Sequence, residues 1–244
     1  MDNAQIRERL QSAAYLVAAF CLGWLAAWAA YAPHDGSVSS PAFQGNAPAA
    51  NATDYVNQCL RLINERHYPQ AVDVCERGLL ARPADSLLLN NLATARLLQG
   101  EIGKGEAILK KLVADAPDFQ LAQNNLAWAK SLRAEVEAAI AANEKKLASA
   151  PDQAAKISAL WAMAAGYAQL GENEKAVTMY DIIRKLDPGN ASAINNSGVA
   201  HMALAQYAEA LACFREAARL VPDQALYRNN IDWAQRTAAQ SAKQ

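Results

Sequence analysis

Asparagine is the residue type whose spacing in this sequence most clearly suggests chemistry. Asn-Asn pairs stand at positions 90 and 91, 124 and 125, 195 and 196, and 229 and 230, at intervals of 34, 71 and 34 residues. A carboxamide both donates and accepts hydrogen bonds, so a row of asparagines suits the N–H and C=O groups of an extended peptide. The spacing therefore indicates binding of a polypeptide backbone rather than a reaction.

Side chains suited to catalysis or metal binding are scattered instead of grouped. The chain has three histidines and four cysteines, and neither His34 nor His201 has a cysteine or carboxylate at metal-ligand spacing. No set of serine, cysteine and carboxylate residues suggests a nucleophile with its base. We therefore expect no enzyme activity, no bound metal and no cofactor.

A glycine-rich segment at residues 100–105, Gly-Glu-Ile-Gly-Lys-Gly, is the nearest approach to a phosphate-binding loop. It lacks the full Gly-Lys-Ser/Thr ending, and no strand is predicted before it. Lysine plus arginine (23) nearly balance aspartate plus glutamate (24), so no basic excess attracts nucleic acid. We expect neither a nucleotide nor a nucleic acid as ligand.

The asparagine pairs belong to a repeat of 34 residues. Prolines stand at 83, 117, 151, 188 and 222, separated by 34, 34, 37 and 34 residues, in the same register as the asparagine pairs. With each proline at position 32, positions 8 and 20 hold small residues, as antiparallel helices require where their axes come close. The predicted units are 52–85, 86–119, 120–156, 157–190 and 191–224, followed by a capping helix at 225–240.

This pattern of small residues at positions 8 and 20, an aromatic residue near position 24 and proline at position 32 resembles the tetratricopeptide repeat (TPR). The resemblance covers residues 52 to about 240 and is most specific in residues 157–221. It implies an all-α protein, with an α-solenoid of about five helix-turn-helix repeats and a C-terminal capping helix. The third unit departs from the pattern, because Ala134 replaces the usual glycine and Asn143 stands at position 24, so we expect its second helix to be longer or shifted.

In that family, the first helices of the repeats line a concave groove with positions 2, 5, 6, 9, 12 and 13. Position 6 is asparagine in five of the six units, and the resemblance implies that these asparagines hold the backbone of a bound peptide. Tryptophan at position 9 would form apolar pockets on the same face. The predicted groove residues are Asn57, Asn90, Asn91, Asn124, Asn125, Asn195, Asn196, Asn229, Asn230, Trp128 and Trp233.

Both groove features have a simpler interpretation. Repeats arise by duplication, so the asparagines can be inherited copies that face water, and each tryptophan can pack against an adjacent repeat. Position 2 holds no lysine or arginine in any unit, which disfavours a clamp for the carboxylate of acidic C-terminal peptides.

Cys59 and Cys75 occupy positions 8 and 24 of the first unit, each eight residues from His67. In a hairpin that turns at His67 their side chains can meet, and a disulfide there would stabilise the hairpin by about 3 kcal/mol. Two buried thiols are the alternative, since both positions accept a small apolar residue.

The N-terminal segment predicts a membrane anchor. Residues 11–32 are uncharged and almost entirely apolar, long enough to cross a bilayer as a helix, with Trp24, Trp28 and Tyr31 at one end. Arg7 and Arg9 precede the span, so residues 1–10 are expected in the cytoplasm and the C-terminal domain outside it. Residues 33–51 are rich in proline, glycine, serine and alanine and predict a flexible linker. A cleaved signal peptide is the alternative.

These features together resemble membrane-anchored, extracytoplasmic TPR proteins. The expected function is that of an interaction scaffold or chaperone-like factor in the inner membrane, with its solenoid in the periplasm. Its groove would bind an extended or C-terminal segment of another protein, for translocation, envelope assembly or cytochrome c maturation. The alternative is a structural subunit whose solenoid mediates self-association, as a homo-oligomer, or a fixed membrane complex.

Overall fold

The computed structural model describes residues 52–242, and within that range the chain forms ten α-helices and no β-strand. None of these helices combines the length and the apolar character needed to cross a bilayer. The predicted segments 1–10, 11–32 and 33–51 lie outside the described residues. In chain order the helices are α1 (Ala52–Asn64), α2 (Tyr68–Ala81), α3 (Ser86–Leu98), α4 (Ile102–Asp115), α5 (Gln120–Ala148), α6 (Gln153–Leu170), α7 (Asn173–Leu186), α8 (Ala191–Ala203), α9 (Tyr207–Leu220) and α10 (Ala225–Ser241).

Eight of the described helices form four hairpins: α1 with α2, α3 with α4, α6 with α7, and α8 with α9. Each hairpin turns at position 15 of its unit, where the backbone is left-handed at Arg66, Gly100, Gly171 and Ala205. The helices of a pair come close because positions 8 and 20 are small. In these four units they are buried: Cys59, Ala71, Ala93, Gly105, Ala164, Ala176, Gly198 and Ala210.

The third predicted unit, residues 120–156, is not a hairpin, and this corrects the expectation of about five helix-turn-helix repeats. Residues 120–148 form the single 29-residue helix α5. The small residues that would lie between the two helices of a hairpin, Ala127 and Ala139, are exposed instead. Helix α6 packs back along the second half of α5, where a Cβ on Gly166 would lie 2.7 Å from Ile140 Cγ1.

Ala134 does not by itself explain why α5 fails to turn. Ala205 occupies the equivalent position and adopts the left-handed conformation there, with φ 57°. That conformation costs an alanine roughly 1–2 kcal/mol, and packing of Tyr207 against the cluster around Phe214 can offset it. Residues 134–142 read Ala-Glu-Val-Glu-Ala-Ala-Ile-Ala-Ala, with neither glycine nor proline, so the helix continues.

Helix α5 divides the solenoid into two arrays. We call α1–α4 with residues 120–133 of α5 the first array, and α6–α10 the second array. Their turns meet, because a Cβ on Gly103 would lie 2.2 Å from the carbonyl oxygen of Leu170. Only glycine allows this approach of two backbones, so Gly103 fixes how closely the arrays pack.

Candidate functional site

The asparagine pairs connect successive repeats in both arrays. In the first array, Asn125 Nδ2 donates to Asn90 Oδ1 at 2.8 Å and lies 3.2 Å from Thr94 Oγ1. In the second array, Asn230 Nδ2 donates to Asn195 Oδ1, also at 2.8 Å. Position 6 of one unit thus bonds position 5 of the preceding unit. Since Asn90 and Asn195 are almost fully buried, these bonds satisfy polar groups that water cannot reach.

Asn196 is held by two further groups in the second array. Its Oδ1 accepts from Asn195 Nδ2 at 3.1 Å, and its side chain shares a hydrogen bond with the Tyr180 hydroxyl. Burial raises the pKa of Tyr180 to about 12, against the smaller opposing effect of that hydrogen bond. The phenol therefore stays neutral at physiological pH, and Asn196 is part of the internal packing.

Asn91 occupies the same position in the first array and has no such partners. Its side chain is only 7% exposed, and no described residue forms a hydrogen bond with its carboxamide, whose polar atoms reach solvent. Position 24 of the preceding unit is Cys75 where the second array has Tyr180, and position 5 of that unit is Val56. Neither can bond a carboxamide as Tyr180 and Asn90 do elsewhere.

The remaining predicted groove residues vary in exposure. Asn57 is exposed, Asn229 is half-buried, and exposed Asn124 accepts from Gln120 Nε2 at 3.0 Å. Trp128 packs half-buried against the core shared by α3–α6, as the alternative interpretation expected. Trp233 is 39% exposed, with its ring centroid 6.5 Å from that of Phe214. A role for these residues in peptide binding stays a prediction.

Three exposed leucines accompany the asparagines of the first array, and the prediction did not include them. Leu60, Leu87 and Leu121 are 44–47% exposed. A leucine at position 2 of two successive units was a signal available in the sequence. On each helix, positions 2, 6 and 9 share a face. We call this face of α1, α3 and α5 the first-helix surface; its described residues are Asn57, Leu60, Leu87, Asn91, Thr94, Leu121, Asn125 and Trp128.

A disulfide joins Cys59 and Cys75 across the first hairpin, with their Cα atoms 5.7 Å apart. Both side chains are fully buried between α1 and α2. Cys213 is a free thiol in the second array, and burial raises its pKa. The crosslink therefore belongs to the array that carries the first-helix surface.

A buried ion pair stands where the two arrays meet. Glu106 is 3% exposed, and its carboxylate lies 2.6 Å from Arg133 Nε and 2.8 Å from Lys110 Nζ. Burial alone would raise the pKa of Glu106, but hydrogen bonds from Lys110 and Arg133 outweigh burial and hold the pKa below its usual value. The sequence signal was a charge at position 21, which holds Val72, Val177 and Leu211 elsewhere.

The glycine-rich segment forms the turn before α4 and the first residues of that helix, where Lys104 pairs with Glu101 at 2.7 Å. Within residues 52–242, no three histidine, cysteine, aspartate or glutamate side chains are grouped as metal ligands. The ion pair at Glu106 joins helices, and its carboxylate oxygens are taken by Lys110 and Arg133.

The tetratricopeptide repeat family model matches residues 191–224, the hairpin of α8 and α9. That match supports the TPR family. A search of curated proteins finds no match to the chain.

Several solved structures of TPR proteins are similar to the chain. A thermophilic TPR protein of Thermus thermophilus is 21% identical, with 75% of this chain and 98% of that chain covered, at a TM-score of 0.39. MamA is 23% identical, with 72% and 94% covered and a TM-score of 0.34. YrrB, described as a TPR protein with an unusual peptide-binding site, is 15% identical, with 77% and 94% covered and a TM-score of 0.35. Scores this low do not establish a shared overall shape.

Proposed function

We propose that this chain is a protein-interaction scaffold that binds an extended segment of another protein along the first-helix surface. The observation that carries the proposal is Asn91, a carboxamide more than nine-tenths buried that no described residue bonds. An amide in this state gains a hydrogen bond when a peptide backbone reaches it, and such a bond contributes about 1 kcal/mol.

The leucines beside Asn91 supply the apolar part of the binding energy. Leu87 lies one helical turn before Asn91 on α3, and Leu121 lies one turn before Asn125 on the neighbouring α5. Each leucine is nearly half exposed, so a ligand that covers them removes apolar surface from water at about 25 cal/mol per Å². A carboxamide flanked by two such leucines suits a ligand with a peptide backbone and apolar side chains.

Membrane anchoring is a separate part of the proposal. Residues 11–32 would hold the protein in the inner membrane, and the solenoid would work outside the cytoplasm in translocation, envelope assembly or cytochrome c maturation. The uncharged apolar stretch with Arg7 and Arg9 before it supports this orientation. The Cys59–Cys75 disulfide also supports it, because disulfides persist in oxidising compartments.

The anchor is tested by extracting membranes with alkaline carbonate and sequencing the N-terminus of the mature protein. Retention in the membrane with residues 11–32 intact supports an anchor. A mature protein that begins near residue 30 would show a cleaved signal peptide and remove the anchor from the proposal.

Binding is tested with a photo-crosslinking residue at Asn57 in the full-length protein, in cells, in three backgrounds. Leu87→Ser with Leu121→Ser is expected to abolish crosslinks to other proteins, because it removes the apolar contacts. The matched control is Leu80→Ser, since Leu80 is 85% exposed on α2, away from the first-helix surface. Equal crosslinking in all three backgrounds, with the fold intact by circular dichroism, would favour the structural alternative.

A further inference from the structure

The first-helix surface carries no charged side chain. Each of its eight described residues is apolar or an uncharged amide or hydroxyl, although 19% of the whole chain is charged. The nearest charges along the helices, Arg61 and Lys130, lie one and two residues beyond position 9, and each residue turns about 100° away around the helix.

The charged groups of the neighbouring helices already have partners. Arg96 pairs with Glu76 and Glu101, while Glu106 pairs with Lys110 and Arg133. Asp85, just before α3, accepts hydrogen bonds from Leu87 N and Leu88 N at 3.1 Å and pairs with Arg82. A ligand on this surface therefore finds no free counter-ion among these groups, and burying an unpaired charge against leucine and asparagine is costly.

From this we infer that the ligand is an uncharged, internal stretch of an extended polypeptide, an inference that rests on the proposed function. No cation stands on the surface to receive a terminal carboxylate, so a free C-terminus has no advantage over an internal segment. The carboxamide of Asn91 bonds the ligand backbone, and Leu87 and Leu121 contact its apolar side chains.

The spacing of the helices sets the spacing of those side chains. Packed helices such as α3 and α5 have axes roughly 8–10 Å apart. A polyproline II segment repeats its side-chain direction every third residue, about 9 Å along its axis. Apolar ligand residues three apart, with uncharged residues between them, therefore match Leu87 and Leu121.

The experiment is a selection of random dodecapeptides, embedded within a phage coat protein so that neither end is free, on the immobilised full-length chain. The enriched peptides are expected to hold at most half the Asp, Glu, Lys and Arg content of the unselected library and to share an apolar pair three residues apart. Leu87→Ser with Leu121→Ser is expected to abolish the enrichment, and Leu80→Ser to preserve it.

Affinity measurements on one enriched peptide give a second readout. Its Kd is expected to change less than twofold between about 0.05 and 0.5 M salt, because no ion pair contributes. Replacing its central residue by Asp or by Lys is expected to weaken binding by about tenfold or more, and replacing it by Ser to do so only slightly.

The outcomes separate the inference from the proposed function. Enriched peptides rich in acidic or basic residues, lost with the leucine double variant, would overturn the inference and leave the scaffold proposal standing. No enrichment, or enrichment that survives the double variant, would overturn both. A concentration-dependent dimer that the double variant abolishes would identify a second copy of this chain as the occupant and would also overturn the inference.

Discussion

Asn91 and Asn196 hold the same position in the two arrays and differ in every partner. Asn196 bonds Asn195 and Tyr180, whereas Asn91 lies between Val56 and the Cys59–Cys75 disulfide, neither of which takes its place in a bond. The residue is repeated, but its role depends on which side chain stands at position 24 of the preceding unit. A repeated polar residue is thus structural in one array and available to a ligand in the other.

The arrays also differ at positions 21 and 14. In the first array, Glu106 and Arg133 form a buried ion pair there. The corresponding residues in the second array are Leu211 on α9 and Ala238 on α10, which are apolar. The charged pair occurs where α5 continues past the turn, so Arg133 bonds Glu106 from a helix that spans both arrays.

The disulfide is expected to produce the largest difference in stability between the arrays. Replacing Cys59 and Cys75 by serine should lower the free energy of unfolding by about 3 kcal/mol, because the closed loop of 16 residues no longer restricts the unfolded chain. Urea unfolding followed by circular dichroism, with and without reductant, measures the loss. Cys213→Ala is the control, and its curve should still respond to reductant; a wild-type curve that ignores reductant would show that the crosslink is absent.

The contact between the arrays is expected to be the next most sensitive point. Gly103→Ala places a Cβ 2.2 Å from the Leu170 carbonyl oxygen, so the backbones must separate at a cost of about 2 kcal/mol. The matched control is Gly189→Ala, where a Cβ meets nothing nearer than Asp187 Oδ1 at 3.7 Å. Thermal unfolding of the two variants measures the difference, and equal melting temperatures would contradict the close contact between the arrays.

The ion pair is expected to make the first array sensitive to acid. Because the folded pKa of Glu106 is lowered, its contribution is complete above the unfolded pKa and is lost as pH falls through the folded pKa. Glu106→Gln should therefore cost about 1.5 kcal/mol near pH 7 and nothing once the wild-type carboxylate is protonated. Urea unfolding across pH, with Glu174→Gln on exposed α7 as control, measures this, and a cost that is independent of pH would refute it.

The smallest expected effects separate the asparagines. Asn125→Ala and Asn230→Ala should each cost about 1 kcal/mol, since each leaves a buried asparagine without its donor. Asn91→Ala should leave stability within about 0.5 kcal/mol of wild type, because it breaks no bond within the described protein. Urea midpoints rank the three variants, and a loss at Asn91 equal to that at Asn125 would mean that Asn91 has a structural partner.

The repeat register predicted the all-helical solenoid, because proline spacing and small residues report helix ends and close helix contacts. The register did not predict α5, since a turn depends on the balance between local helix propensity and the packing available after it. Ala205 turns and Ala134 does not, although both are alanine at position 15. The state of Asn91 was also out of reach, because it depends on Cys75 and Val56, residues that meet it only in the folded chain.

Helix α5 has a mechanical consequence. A solenoid of separate hairpins flexes a little at every joint between repeats, and the motions add along its length. A continuous helix of 29 residues, about 44 Å long, replaces one of those joints with a rod. Bending is then confined to the two arrays on either side, and a load applied to a segment bound on the first would be transmitted to the second with little loss.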